Sequence, residues 1–288
     1  MFKALLIKII PFSALKILFL KLFGAKIGRN VSLGLLSTIY TKNYSKIVIG
    51  DYVEIGYNVN IRVSSIDIGN FTIIGNYVEI SGNGNFAVGK SSFISHMNID
   101  TSGGSIRIGD AFACSHGNIS SHDYSETWFN PGKKYTKFNI EIGNRVWMGA
   151  GASALNVNIG NESLIAGGSI VLSDIPNNSF AIGNPARVIK KNEFKKINNE
   201  FINDINFQNA TINIFKNKKI GFFEEFAIKN DNELKAYDII ICNKLNSKDI
   251  PLTNTPIISL SSEKVYNMRT FILPLFRLLR SYGIFIKN

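Results

Sequence analysis

The chain has 288 residues, of which 45% are apolar and 18% charged, enough for one extended domain and an appendage. Its formal charge of +11 does not point to nucleic acid. Residues 1–23 hold four lysines and no acid, the tail from Lys191 holds fifteen Lys/Arg against ten Asp/Glu, and the middle is close to neutral with no basic stripe. The two cysteines, Cys114 and Cys242, form no CxxC or metal-ligand spacing, which argues against a disulfide framework or a metal site and for a reducing compartment.

The N-terminal segment 1–23, MFKALLIKIIPFSALKILFLKLFG, is apolar but punctuated by Lys3, Lys8, Lys16 and Lys21, so no uncharged run reaches membrane-spanning length. Pro11 predicts a break into two short helices. Two roles fit this pattern equally: an interfacial element at a membrane surface, and a cap closing the end of the fold that follows. No small-residue cleavage site separates it from IGRNVS.

From there a six-residue rhythm takes over. Blocks led by Ile49, Ile68, Val88, Ile108, Ile142 and Ile159 read IGDYVE, IGNFTI, VGKSSF, IGDAFA, IGNRVW and IGNESL, at spacings of 19, 20, 20, 34 and 17 residues. The aliphatic leader points inward and stacks on its equivalents, while Gly-Asn or Gly-Asp supplies the turn between short strands. Such a period marks a solenoid, each coil burying its apolar face only against its neighbours. Cys114 falls on an inward position and reads as a small core residue.

The 34-residue interval carries a protruding loop, taken as 116–139, rich in polar and aromatic residues. A loop on a rigid solenoid is a natural place for a site. It holds His116 and His122, two of the three histidines, with His96 one block earlier. Beyond the repeats, residues 192–288 change character. NEFKKINNEFINDINF has helical apolar spacing at Phe194, Ile197, Phe201 and Ile205, KAYDIIICNKL reads as a buried strand, and TFILPLFRLLRSYGIFIKN as an apolar, basic terminal helix interrupted by Pro274. No motif there carries chemistry.

The stretch IGNRVWMGAGASALNVNIGNESLIAGGSIVLSDIPNNSFAIGNPARVIKK resembles the C-terminal half of the hexapeptide-repeat acyltransferases, among them sugar and surface-polysaccharide O-acetyltransferases. The resemblance covers about residues 24–191. It implies a mainly β chain, a left-handed parallel β-helix over 24–191, which follows the N-terminal helical segment; the tail 192–288 lies beyond the resemblance, and its own residues read as a small C-terminal α/β appendage, a trimerisation element or a second membrane contact. It also implies a homotrimer with sites between subunits and acetyl-CoA as co-substrate, with no metal. The acceptor it suggests is a hydroxyl of a capsule, lipopolysaccharide or related sugar, met in the cytoplasm or at the inner face of the membrane.

By the same resemblance His122 matches a catalytic histidine, a general base whose ordinary pKa of about 6.5 leaves it mostly neutral near pH 7. Asp123 and Glu126 are candidates to orient its ring, and His116 is a weaker candidate near the same cleft. Trp147 would lie by the acceptor or the pantetheine arm, and Trp128 would stack on a sugar. Gly149, Ala150, Gly167 and Gly168 would leave room for pantetheine, and Arg187, Lys190 and Lys191 would meet the CoA phosphates. Two departures stand out: SALNVNIG is one residue short, and Leu172 replaces a polar residue. An N-acetyltransferase of an amino-sugar nucleotide is the first alternative, although no βαβ nucleotide-binding unit precedes the repeats. A catalytically silent scaffold or binding module is the second.

Overall fold

The computed structural model describes residues 2–123, 129, 136–191, 208, 220–226, 239–245, 257–259 and 264–266, and the chain divides into two compact units, Met1–Phe194 and Lys195–Asn288. In the first unit about seven coils wind as a left-handed parallel β-helix of triangular section. The first face carries the strands Lys26–Ile27, Ile47–Ile49, Ser65–Ile68, Asn85–Val88, Ile106–Ile108 and Ile140–Ile142, each parallel to the next. Ile49 pairs with Ile68, Ile68 with Val88, Val88 with Ile108 and Ile108 with Ile142, so every predicted leader stacks on the next. These side chains are buried in one continuous core with Ile55, Ile74, Ile94, Cys114 and Met148 of the second face. Each aliphatic side chain so buried contributes roughly 1.5–3 kcal/mol.

The Gly-Asn and Gly-Asp pairs have a specific task at the first corner. The Oδ1 of Asp51 accepts from the Arg29 N–H at 2.7 Å, that of Asn70 from Asp51 at 2.8 Å, that of Asn144 from Asp110 at 2.7 Å, and that of Asn161 from Asn144 at 2.7 Å. Each side chain therefore ties one coil to the coil before it. The preceding glycine is required by the same closeness: a Cβ on Gly143 would stand 2.6 Å from the Asn161 nitrogen. A second, buried ladder of hydroxyls runs alongside, with Thr72 Oγ1 accepting from Ser92 N at 3.2 Å and Ser92 Oγ from Phe112 N at 3.1 Å. Buried backbone donors at the corners thus keep their partners.

Two helices, α1 (Phe2–Ile9) and α2 (Ser13–Leu22), precede the coils, with Pro11 between them as predicted. Both pack on the first coil, burying Ile7, Ile10 and Leu20. Lys16 is fully buried and donates from Nζ to the carbonyls of Gly34 (2.7 Å) and Ser37 (3.1 Å), and Ser13 Oγ accepts from Leu33 N at 2.8 Å. Burial lowers the Lys16 pKa from its ordinary value. The segment is a cap that supplies the carbonyls of the open coil with a donor.

In the second unit the described residues form a four-stranded sheet. Ile220–Phe226, Ile239–Leu245 and Ile257–Ser259 run parallel, and Lys264–Tyr266 pairs antiparallel with the third. The central strand is the one expected from KAYDIIICNKL, and its Ile241 is buried. The helical spacing at 194–205 and the terminal apolar segment lie outside the described residues.

Candidate active site

Coils 4 and 5 depart from the six-residue rule. Ile74 and Ile80, successive inward positions of coil 3, are six apart, but Ile94 and Ile99 of coil 4 and Cys114 and Ile119 of coil 5 are only five apart. The second corner is one residue short in these two coils. Their second and third faces consequently run on as single strands, Phe93–Asp100 and Ala113–Ser120, paired in register from Phe93↔Ala113 to Asp100↔Ser120. The shortened corners are occupied by His96 and His116, both left-handed, with φ of 48° and 61°.

Beyond each corner the strand alternates. His96, Asn98 and Asp100 turn outward in coil 4, and His116, Asn118, Ser120 and then His122 in coil 5, while Met97, Ile99 and Ile119 fill the core. Asn98 donates to Asn118 (3.4 Å) and Asn118 to Ser153 (3.3 Å), forming a polar surface across three coils.

At its far edge His122 Nδ1 lies 3.4 Å from Asp100 Oδ2 and 3.3 Å from Ser120 Oγ, with the imidazole only 16% exposed. Asp100 Oδ1 accepts from Ser102 N at 2.8 Å, which fixes the carboxylate. A carboxylate beside Nδ1 favours the tautomer with its proton there, in which Nε2 is the proton acceptor. Asp100, one coil below, is thus a partner of the ring that sequence reasoning did not single out. The cue lies in ISHMNID: a strand alternation that puts Asp100 outward, legible only once the register between coils is known. Asp123 is exposed and pairs antiparallel with Thr136, as His122 does with Lys137. Glu126 and Trp128 lie outside the described residues, and the loop begins after Ser120 rather than at 116.

His116 sits at the second corner, six residues before His122 and on the order of 20 Å away along an extended chain. It belongs to a column of rings on the second corner. Tyr57 and Tyr77 have centroids 5.5 Å apart, Tyr77 and His96 5.4 Å, and His96 and His116 stack at 4.4 Å and 10°. Ser95 and Ser115 hold the two Nδ1 atoms at 2.9 and 3.0 Å.

Above His116 this corner loses its side chains. Gly149–Ala150 and Gly167–Gly168 follow in coils 6 and 7, and Gly151 N donates to the His116 carbonyl. The glycines differ in purpose. A Cβ on Gly149 would meet Gly167 N at 2.4 Å, a requirement of coil stacking, whereas Gly168 (φ +70°) faces open space. Trp147, 47% exposed, stands on the second face between Ala113 and Leu164, with Phe180 next above. Lys190 lies 5.2 Å over the Phe180 ring, on the strand Ala186–Lys191 that also carries Arg187 and Lys191. Leu172 is exposed. Cys114 is buried and its thiol is pushed up to about 12 by burial, which removes it as a nucleophile.

Within one chain, then, two groups of residues occupy different corners: His122 and Asp100 at the third, the glycines with Trp147 and the basic strand at and beside the second. The polar strip Asn98–Asn118–Ser153 lies between them. No family model matches the chain. A protein of Saccharomyces cerevisiae provisionally named an acetyltransferase is 53% identical over 53 residues, 18% of this chain and 27% of its own. The galactoside O-acetyltransferase of Escherichia coli is 41% identical over 75 residues, 25% of this chain and 36% of its own. This chain resembles the hexapeptide-repeat acyltransferases. It spans about a quarter to a third of the length of the curated relatives it matches. Among solved structures, a hexapeptide-repeat acetyltransferase of Vibrio cholerae complexed with acetyl coenzyme A aligns over 67% of this chain and 84% of its own, at 17% identity and a TM-score of 0.40.

Proposed function

We propose that this protein is an acetyltransferase that moves the acetyl group of acetyl-CoA to a hydroxyl of a surface polysaccharide, capsule or lipopolysaccharide, or of its sugar precursor. The observation that carries the reading is the His122–Asp100 pair, a largely buried imidazole with a fixed carboxylate beside Nδ1. His122 Nε2 takes the proton of the sugar hydroxyl as that oxygen attacks the thioester carbonyl. The carbon–sulfur bond then breaks, and the CoA thiolate leaves with the proton returned by the imidazolium. The thioester is already activated, so no acyl-enzyme is required, and holding both reactants together supplies much of the acceleration.

Trp147, Gly149, Ala150, Gly167 and Gly168 line the course proposed for the pantetheine arm, and Arg187, Lys190 and Lys191 the phosphates, where cationic side chains are favoured. Because those residues and His122 occupy different corners of one chain, the working site joins two copies, which suits a homotrimer. Dependence on acetyl-CoA supports a reaction in the cytoplasm or at the inner face of its membrane.

The test is CoA release from acetyl-CoA with a panel of capsular oligosaccharides, sialylated ones included, beside an amino-sugar nucleotide, for wild type and His122→Ala. Hydroxyl-dependent release that collapses in the variant supports the proposal. Release with the amino-sugar nucleotide alone replaces it with N-acetylation, and failure to bind acetyl-CoA at all leaves a scaffold.

A further inference from the structure

A solenoid cap needs one apolar face, turned to the coil it closes, and a polar outer face to keep the end soluble. The cap of this protein has two apolar faces. Ile7, Ile10, Lys16 and Leu20 turn toward the first coil, whereas Leu5, Ile9, Phe12, Leu15, Leu18 and Leu22 are exposed, Phe12 and Leu22 at 70% and 71%. In α2 the exposed stripe follows positions 15, 18 and 22 on one side, and the buried pair 16 and 20 follows the other. An exposed apolar patch of this kind marks an interaction surface.

Charge identifies what it meets. No Asp or Glu precedes Asp51, while the first fifty residues hold eight Lys and Arg. Lys21, Lys26, Lys42 and Lys46 are exposed on the cap and on the coil beneath it. A second copy of the same end would bring like charges together, whereas anionic headgroups would be attracted. Among the described residues no helix is long and apolar enough to cross a membrane, and α1 and α2 have 8 and 10 residues. Short helices with an apolar stripe and flanking lysines lie in the interface plane.

We propose that the N-terminal cap seats the solenoid end-on upon an anionic lipid surface, with the stripe Leu5, Ile9, Phe12, Leu18 and Leu22 at the acyl boundary and the lysines among the headgroups. Both helices pack across coil 1, so the solenoid axis stands away from the lipid. His122 closes coil 5, four coil steps farther out, about 20 Å at the spacing of neighbouring strands. The inference concerns the cap alone and stands whatever reaction the distant corner performs.

The full chain is mixed with vesicles of phosphatidylcholine alone and of phosphatidylcholine with phosphatidylglycerol, and the bound fraction is read by cosedimentation. Binding to the anionic vesicles is expected to exceed that to the neutral ones and to fall as salt rises. The triple variant Phe12→Ser, Leu18→Ser, Leu22→Ser is expected to lose about tenfold or more of the partition coefficient. These positions are exposed, so its circular dichroism and unfolding midpoint should match wild type. A second variant, Lys21→Glu with Lys46→Glu, should bind neutral vesicles as before and anionic ones more weakly. The proposal is overturned if the wild type ignores anionic vesicles, if the folded triple variant binds as well as wild type, or if sedimentation velocity shows the cap pairing copies in place of lipid.

Discussion

His122 Nδ1 and Asp100 Oδ2 approach to 3.4 Å although the two residues close different coils, Asp100 the fourth and His122 the fifth. The approach exists because Asp100 pairs in register with Ser120, two residues before the histidine, so one strand step brings the ring over the carboxylate. Replacing Asp100 by Asn preserves the bond from Ser102 N but no longer requires the proton on Nδ1. We expect Asp100→Asn to lower kcat about 10²-fold with the KM for acetyl-CoA nearly unchanged, and His122→Ala to lower kcat by roughly 10²–10⁴. Steady-state kinetics separate the two parameters; a rise in KM alone would make Asp100 a binding residue.

The first and second corners predict a contrast between two glycines. Gly143→Ala forces a Cβ to 2.6 Å from the next coil's backbone nitrogen, and overpacking of this kind costs about 1–3 kcal/mol. Gly168→Ala has open space and only its left-handed backbone to oppose it, a cost of roughly 1–2 kcal/mol. Scanning calorimetry should therefore show the larger loss of melting temperature for Gly143→Ala. Acetyl-CoA affinity should respond more to Gly168→Ala, which calorimetric titration would read.

Cys114 should be silent toward thiol reagents in the folded protein. Burial pushes its thiol up to about 12, so at pH 8 the thiolate fraction is on the order of 10⁻⁴. In a Cys242→Ser chain, which leaves one cysteine, modification by a disulfide reagent should run at least about a hundredfold slower than for an exposed thiol and recover fully in denaturant. Rapid labelling in the native state would contradict the inward placement.

The cap makes a prediction with a definite sign. Lys16 has its pKa lowered by burial, so the unfolded chain binds this proton more readily than the folded one. Stability linked to Lys16 therefore rises with pH through the window between its folded value and the ordinary 10.5. Lys16→Met should abolish that increment. It should also leave the Ser37 carbonyl without the Lys16 donor and the Gly34 carbonyl with the longer 3.3 Å bond from Ser37 N, at a cost of about 1–3 kcal/mol. Denaturant unfolding of both proteins at pH 8 and pH 10 tests the claim: the gap between them widens toward high pH.

The solenoid was legible because its rule is local. An aliphatic leader, a glycine without room for a Cβ and an Asn or Asp whose oxygen reaches the previous coil recur together, and each is visible in IGN or IGD. Pro11 likewise announced the break between α1 and α2. The partner of His122 was not legible, because Asp100 becomes its neighbour only through the register of two adjacent coils. Nor was the double-faced cap, since the pattern that predicts an apolar helix does not tell a face buried on the coil from one left bare.

The missing residue at the second corner of coils 4 and 5 changes the corner and leaves the face beyond it in place. Because Phe93–Asp100 and Ala113–Ser120 are both short by the same one residue, they remain paired from end to end. Coil 3 carries one residue more at this corner and still sets Ser81 beside Asp100, and coil 6, also one residue longer, sets Ser153 beside Asn118. The corner takes up the difference in length. The position of the carboxylate beneath the imidazole is therefore insulated from the length of the turn that precedes it, and that turn is free to vary around His96 and His116.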